Sequence, residues 1–183
     1  MAETETEPGG GGQPSFNAEN ARLAALPGAV EAVRTPEPRH ALAPGIWMDY
    51  QPRAGVEVAA GPESGEAGLR LQLLRRGESP WFSLSYGLDM AVLRQCRYLG
   101  QLMVCSSRGP GRFRVCLRYH LDDGFRDVFA RDLVVLTGAR QEDLVFIRVD
   151  AELAAAAHGA EVLYFFEGCS FDVTLHSAEA LLI

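Results

Sequence analysis

The sequence predicts an all-β fold, a two-sheet antiparallel β-sandwich of Greek-key or jelly-roll order, with short helical insertions and a flexible N-terminal tail. Three observations carry the expectation. Short apolar or alternating runs recur with turn residues between them, at the spacing typical of sandwiches. No crossover helix stands between successive runs, so parallel pairing lacks the connections it needs. Finally, Arg112 to Leu136, RFRVCLRYHLDDGFRDVFARDLVVL, reads as two strands joined by a tight turn.

That hairpin is the clearest feature of the chain. Phe113, Val115, Leu117, Tyr119 and Leu121 fall on one face, and Arg112, Arg114, Cys116, Arg118 and His120 on the other, the period of a half-buried strand. Asp123-Gly124 supplies a type I′ turn, which needs positive φ at both central residues. With those two residues as the loop, His120 faces Asp127, Tyr119 faces Val128, Arg118 faces Phe129 and Leu117 faces Ala130. An apolar face then backs a polar and aromatic one.

In chain order, residues 1–14 combine acidic residues with Gly and Pro and bury no apolar area, so a disordered tail is expected. Residues 15–44 read as a short helix and a Pro-rich linker. SFNAENARLAAL offers a Ser or Asn cap before helix formers, and Pro27-Gly28 ends it. Phe16, Leu23 and Leu26 are available to dock on the domain or on a partner. The sandwich domain is expected over 45–183, with strands near 45–50, 55–59, 69–74, 81–88, 99–106, 112–121, 125–136, 144–149, 161–167 and 170–175. Helical insertions are expected at Met90–Arg97 and Ala151–His158.

Composition narrows the function. A net charge of −7 and a pI near 5.1 argue against nucleic acid as partner, which demands a concentrated basic surface. All 17 basic residues are Arg, so any cationic recognition uses planar guanidinium groups. The N-terminus has neither a basic n-region nor an apolar h-region, and no apolar run approaches the ~20 residues that span a bilayer. A cytoplasmic location is the expectation, with export by another route as the alternative. Cys96, Cys105, Cys116 and Cys169 lack C-x-x-C or metal spacing. Cys105 and Cys116 have the option of a cross-strand disulfide, while the usual burial of free Cys favours core thiols.

Candidate chemistry is sparse. No G-x-S-x-G elbow occurs, and His40, His120, His158 and His176 lie in separate segments, so no nucleophile, base and orienting group come together. The expectation is a non-enzyme. Carboxylates at Asp122, Asp123, Asp127 and Asp132, and at Glu167 and Asp172, are the available ligands for a structural calcium, without an EF-hand pattern. In the hairpin, Phe125 and Phe129 face outward among Arg118, Arg126 and Asp122. An exposed ring flanked by Arg and Asp suits a neutral polyol, the ring covering C–H groups while charged groups hydrogen-bond hydroxyls. The same face equally suits a protein neighbour. Arg118, His120, Asp127 and Phe129 are the candidate ligand-binding residues.

From Trp81 onward the segments WFSLSYGLDM, RYLGQLMVCSS, FRVCLRYHLDDG, DLVVLTGARQEDLVFIRVD and AEVLYFFEGCSFDVTL follow one another in an order that resembles the β-jelly-roll carbohydrate-binding modules of the galactose-binding-like superfamily. The resemblance covers roughly the last hundred residues and is one of pattern, with no motif to transfer residue by residue. It implies recognition of an oligo- or polysaccharide through loops or a sheet face, often beside a structural calcium. The expected role is an accessory factor in bacterial polysaccharide metabolism or surface recognition. The alternative is a scaffold or assembly subunit, a protein-binding chain or homo-oligomer, docking through the exposed sheet and N-terminal segment.

Overall fold

Strand alternation and turn chemistry build two six-stranded sheets packed face to face in the computed structural model, which describes residues 15–51, 55–65, 67–75, 77–167 and 170–183. The expected acidic tail, and Cys169, lie outside the described residues. One sheet, here the inner-groove sheet, has the order β2 (His40–Ala43), β3 (Ile46–Tyr50), β6 (Trp81–Leu88), β11 (Gly159–Glu167), β8 (Gly111–Leu121), β9 (Gly124–Leu136). The other runs β1 (Val33–Arg34), β4 (Glu57–Pro62), β5 (Leu69–Arg75), β12 (Asp172–Leu182), β7 (Tyr98–Ser107), β10 (Gln141–Arg148). Each of these pairings is antiparallel. The fold is the all-β jelly-roll sandwich.

Between the sheets lies one core, to which β8 contributes Phe113, Val115, Leu117 and Tyr119, and β11 contributes Val162, Tyr164 and Phe166. Buried Gln101 bridges the sheets, its Oε1 accepting the hydroxyls of Tyr86 at 2.6 Å and Tyr164 at 3.2 Å. The short helices α2 (Met90–Leu93) and α3 (Ala151–Ala156) start where Asp89 and Asp150 accept backbone N–H groups of the first turn.

Residues 15–44 hold the short helix expected, and the stretch after it carries strands where a Pro-rich linker is expected. Helix α1 (Asn17–Ala29) starts after Phe16 without a side-chain cap and runs through Pro27, because Phe16, Leu23 and Leu26 are buried in the core and hold it. Beyond Leu175, β12 has lost β5 as a neighbour, and α1 takes over its open edge. There the Asn20 amide donates to the Ala180 carbonyl at 3.0 Å and its Oδ1 accepts the Ala180 N–H at 2.7 Å. The chain then supplies β1 and β2, one to each sheet. That support also lets β12 continue to Leu182, well past the expected end at Leu175, through a bulge at His176.

The hairpin has the expected faces and a different register. Asp122 and Asp123 form the loop without positive φ, and only Gly124 takes it, at 130°. Asp in the right-handed region is less strained than Asp at positive φ, so the turn shifts onto the two aspartates. Near the tip Arg118 therefore faces Asp127, and His120 faces Phe125 rather than Asp127. A bulge in β9 opposite Val115 absorbs the two-residue slip, and beyond it Arg114 faces Leu133 in the expected register. A slip of two leaves every side chain on its face. Tyr119 is dry and Phe129 is exposed.

Cys105 and Cys116 sit on β7 and β8, which belong to different sheets, so the cross-strand disulfide is not formed and Cys96, Cys105 and Cys116 are free thiols.

Candidate functional site

The outer face of the inner-groove sheet carries a row of side chains that are buried without belonging to the core. Ser83 and Ser85 of β6, Glu161 and Leu163 of β11, and Cys116 of β8 are 3% exposed or less, and neither Leu163 nor Cys116 joins the core cluster. Their neighbours across the sheet, Trp47, Phe165, Phe129, Arg118 and His120, are partly exposed. Partly exposed side chains thus flank a row of buried ones, a trough in exposure whose floor is partly polar. From β3 to β9 it crosses five strands, about 19 Å at the usual strand spacing.

Aromatic residues line it. Trp81 stacks on Phe165 at 5.7 Å with an 18° interplanar angle, and Phe129 meets Phe165 edge-on at 5.9 Å. Across the sheet, the Trp47 ring lies against Gly87, where an added Cβ would come within 3.9 Å of it. Arg39 sits over Trp47 at 4.8 Å, Arg114 over Phe129 at 5.8 Å, and Arg118 over Phe125 at 4.0 Å.

The four sequence candidates share this face. Arg118 donates to Asp127 through Nε at 2.7 Å and Nη2 at 2.8 Å, a bidentate pair that raises the guanidinium's pKa above its ordinary value. His120, freed from Asp127 by the register, donates through Nε2 to Glu161 Oε1 at 3.1 Å. Burial, with the Asp127 charge behind it, pushes the Cys116 thiol up to about 12. Phe129 borders the floor from the edge strand.

Trp47, Trp81, Phe165, Glu161 and Arg39 escaped the sequence reading as site residues. EVLYFFE on β11 is a nearly continuous apolar run, because Leu163 and Phe165 make its outer row apolar too, so period 2 cannot show which residues face the trough. A lone acidic residue opening such a strand was the one available signal for Glu161. Arg39 lay in the presumed linker.

Several of the carboxylates offered as calcium ligands are engaged by arginines. Asp172 gives both oxygens to Arg70 at 2.8 and 2.6 Å, Asp127 gives both to Arg118, and Asp123 pairs with Arg126 at 2.9 Å. Among the described residues no three His, Cys, Asp or Glu gather as a metal site.

The Arg118–Asp127 pair is about four-fifths buried on both sides. Asp127→Ala leaves a guanidinium poorly solvated and should cost about 1–3 kcal/mol in chemical denaturation. Replacing both residues with leucine should cost less than that single change. A double variant as unstable as the sum of the singles would mean the pair is uncoupled.

No family model and no curated relative matches the sequence. Solved structures do match in shape. A CBM4 structure superposes with TM-score 0.60 at 13% identity, over 88% of this chain and 99% of that one. The family 11 carbohydrate-binding module of cellulosomal cellulase Lic26A-Cel5E of Clostridium thermocellum gives 0.52 at 11% identity, over 85% and 95%. The C-terminal family 22 carbohydrate-binding module of Clostridium thermocellum Xyn10B gives 0.51 at 14%, over 82% and 92%. The chain has the β-jelly-roll fold of these carbohydrate-binding modules.

Proposed function

We propose that this chain is a non-enzymatic carbohydrate-binding domain that holds an oligo- or polysaccharide in the trough of the inner-groove sheet. One observation carries the reading: Trp47, Trp81, Phe165 and Phe129 form an aromatic lining around a floor that includes buried Ser83, Ser85 and Glu161. Rings cover the C–H faces of sugars, and the polar floor meets their hydroxyls. A trough about 19 Å across suits an extended glycan better than a single ring. Jelly-roll modules that bind xylan and a β-1,3-1,4-mixed-linked tetrasaccharide share the fold and support the same reading.

Binding fits the trough better than cleavage. A glycosidase needs two working carboxylates across the scissile bond, whereas Asp127 is closed by Arg118, and Glu161 shares one oxygen with His120 and Arg39. An accessory role in bacterial polysaccharide metabolism or surface recognition follows as part of the proposal.

The test is affinity electrophoresis in native gels containing mixed-linkage β-glucan, xylan, galactomannan or polygalacturonate. At least one should retard the wild type, and Phe129→Ala should be retarded less. Unretarded migration in every gel would sink the reading. The second reading, a protein-docking module, rests on exposed Leu144, Phe146 and Ile183 on the outer face of the other sheet. Assembly seen by light scattering, together with no retardation, would favour it.

A further inference from the structure

At the centre of the trough is a carboxylate oxygen with nothing to bind. Among the described residues Glu161 Oε2 is the one buried side-chain polar atom without a hydrogen-bond partner. The side chain is 2% exposed, and the two groups that pair with it approach the other oxygen, His120 Nε2 at 3.1 Å and Arg39 Nη1 at 3.5 Å from Oε1, while the Arg118 guanidinium, committed to Asp127, adds its charge from the next strand. Glu161 pairs with Gly87 on one side and Arg118 on the other, so it stands on the outer row of β11 beside the Trp47 ring. Buried acceptors are nearly always satisfied, and an orphan in a groove marks a place for a donor.

The backbone around it is built for this. Arg39 and Thr35 hold positive φ, 56° and 49°, which non-glycine residues rarely adopt and which collects at binding sites. The Asp49 carboxylate accepts the Arg39 N–H at 2.9 Å, and the Tyr50 hydroxyl donates to the Pro36 carbonyl, pinning the strained turn from both sides. The result is a guanidinium lying over Trp47 and against Glu161.

Resting on the carbohydrate reading, we infer that Glu161 is the specificity-determining residue of the trough, its Oε2 accepting a hydroxyl from a neutral glycan, with Arg39 and His120 donating to the adjacent oxygen atoms of the same sugar. A hydroxyl supplies the missing donor. A uronate carboxylate at that point carries acceptors only and offers Oε2 no donor, so it leaves the buried oxygen unsatisfied and sets a second negative charge beside it. The trough therefore selects neutral over acidic polysaccharides.

The experiment is titration calorimetry and affinity electrophoresis with mixed-linkage β-glucan, xylan and polygalacturonate, on wild type, Glu161→Gln, Arg39→Gln and Trp47→Ala, each checked by thermal melting. Wild type should bind a neutral glycan and not polygalacturonate. Glu161→Gln should weaken that binding by about tenfold or more, the effect of losing a charged acceptor. Its melting temperature should hold or rise, because a buried charge is removed. Arg39→Gln, a half-exposed site, should fold normally and also bind more weakly. Glu161→Gln binding within twofold of wild type, or a wild-type preference for polygalacturonate, would overturn the inference while leaving the trough as the site. Binding that survives both Trp47→Ala and Glu161→Gln would place the site elsewhere, and no binding by wild type would remove both readings.

Discussion

Deletion of residues 1–30 should leave a chain that no longer folds cooperatively. The truncation removes Phe16, Leu23, Leu26 and Val30, all 6% exposed or less. At about 1.5–3 kcal/mol for each buried apolar side chain, the loss is roughly 6–12 kcal/mol, comparable to the whole stability of a domain. It also exposes the β12 edge that Asn20 covers and removes the Glu19 carboxylate, which accepts the Asp89 N–H at 2.9 Å where β6 meets α2. Circular dichroism melts and limited proteolysis would report this. Phe16→Ala alone should cost about 3–5 kcal/mol. A truncated chain that melts as sharply as the full one would make α1 an appendage, as a docking tail would be.

Trp47→Ala should remove most glycan binding while sparing the fold. The ring is half-buried on the outer face, resting against Gly87 and under Arg39, so its loss opens one end of the trough without touching the core. Aromatic anchors of this kind carry on the order of 2 kcal/mol each, about thirtyfold in affinity. Calorimetry against whichever polysaccharide retards the wild type measures it, with the melting temperature as control. Unchanged affinity would exclude the Trp47 end from the binding surface.

One end of the trough is thus built by Trp47, a residue the hairpin does not contain. The hairpin was legible because β8 and most of β9 have one face dry and one wet, which writes period 2 into the sequence. Its tip register was not, since Asp122-Asp123 and Asp123-Gly124 are both competent loops and differ by a slip that keeps every face. That slip decided the polar pairs: Arg118 closes on Asp127, and His120 turns to Glu161.

By itself the sequence determined the sandwich class, most strand positions, the dry and wet sides of the central hairpin, and the shared face of Arg118, His120, Asp127 and Phe129, because local alternation and turn residues are properties of short segments. Tertiary structure alone decided that residues 15–44 complete the sandwich and that Arg39, Trp47, Trp81, Glu161 and Phe165 meet on one face. Their neighbourhood arises from the order β3-β6-β11-β8-β9, strands far apart in the chain. Long-range pairing of that kind leaves no periodic trace in any one segment, least of all in β11, where both faces carry apolar side chains.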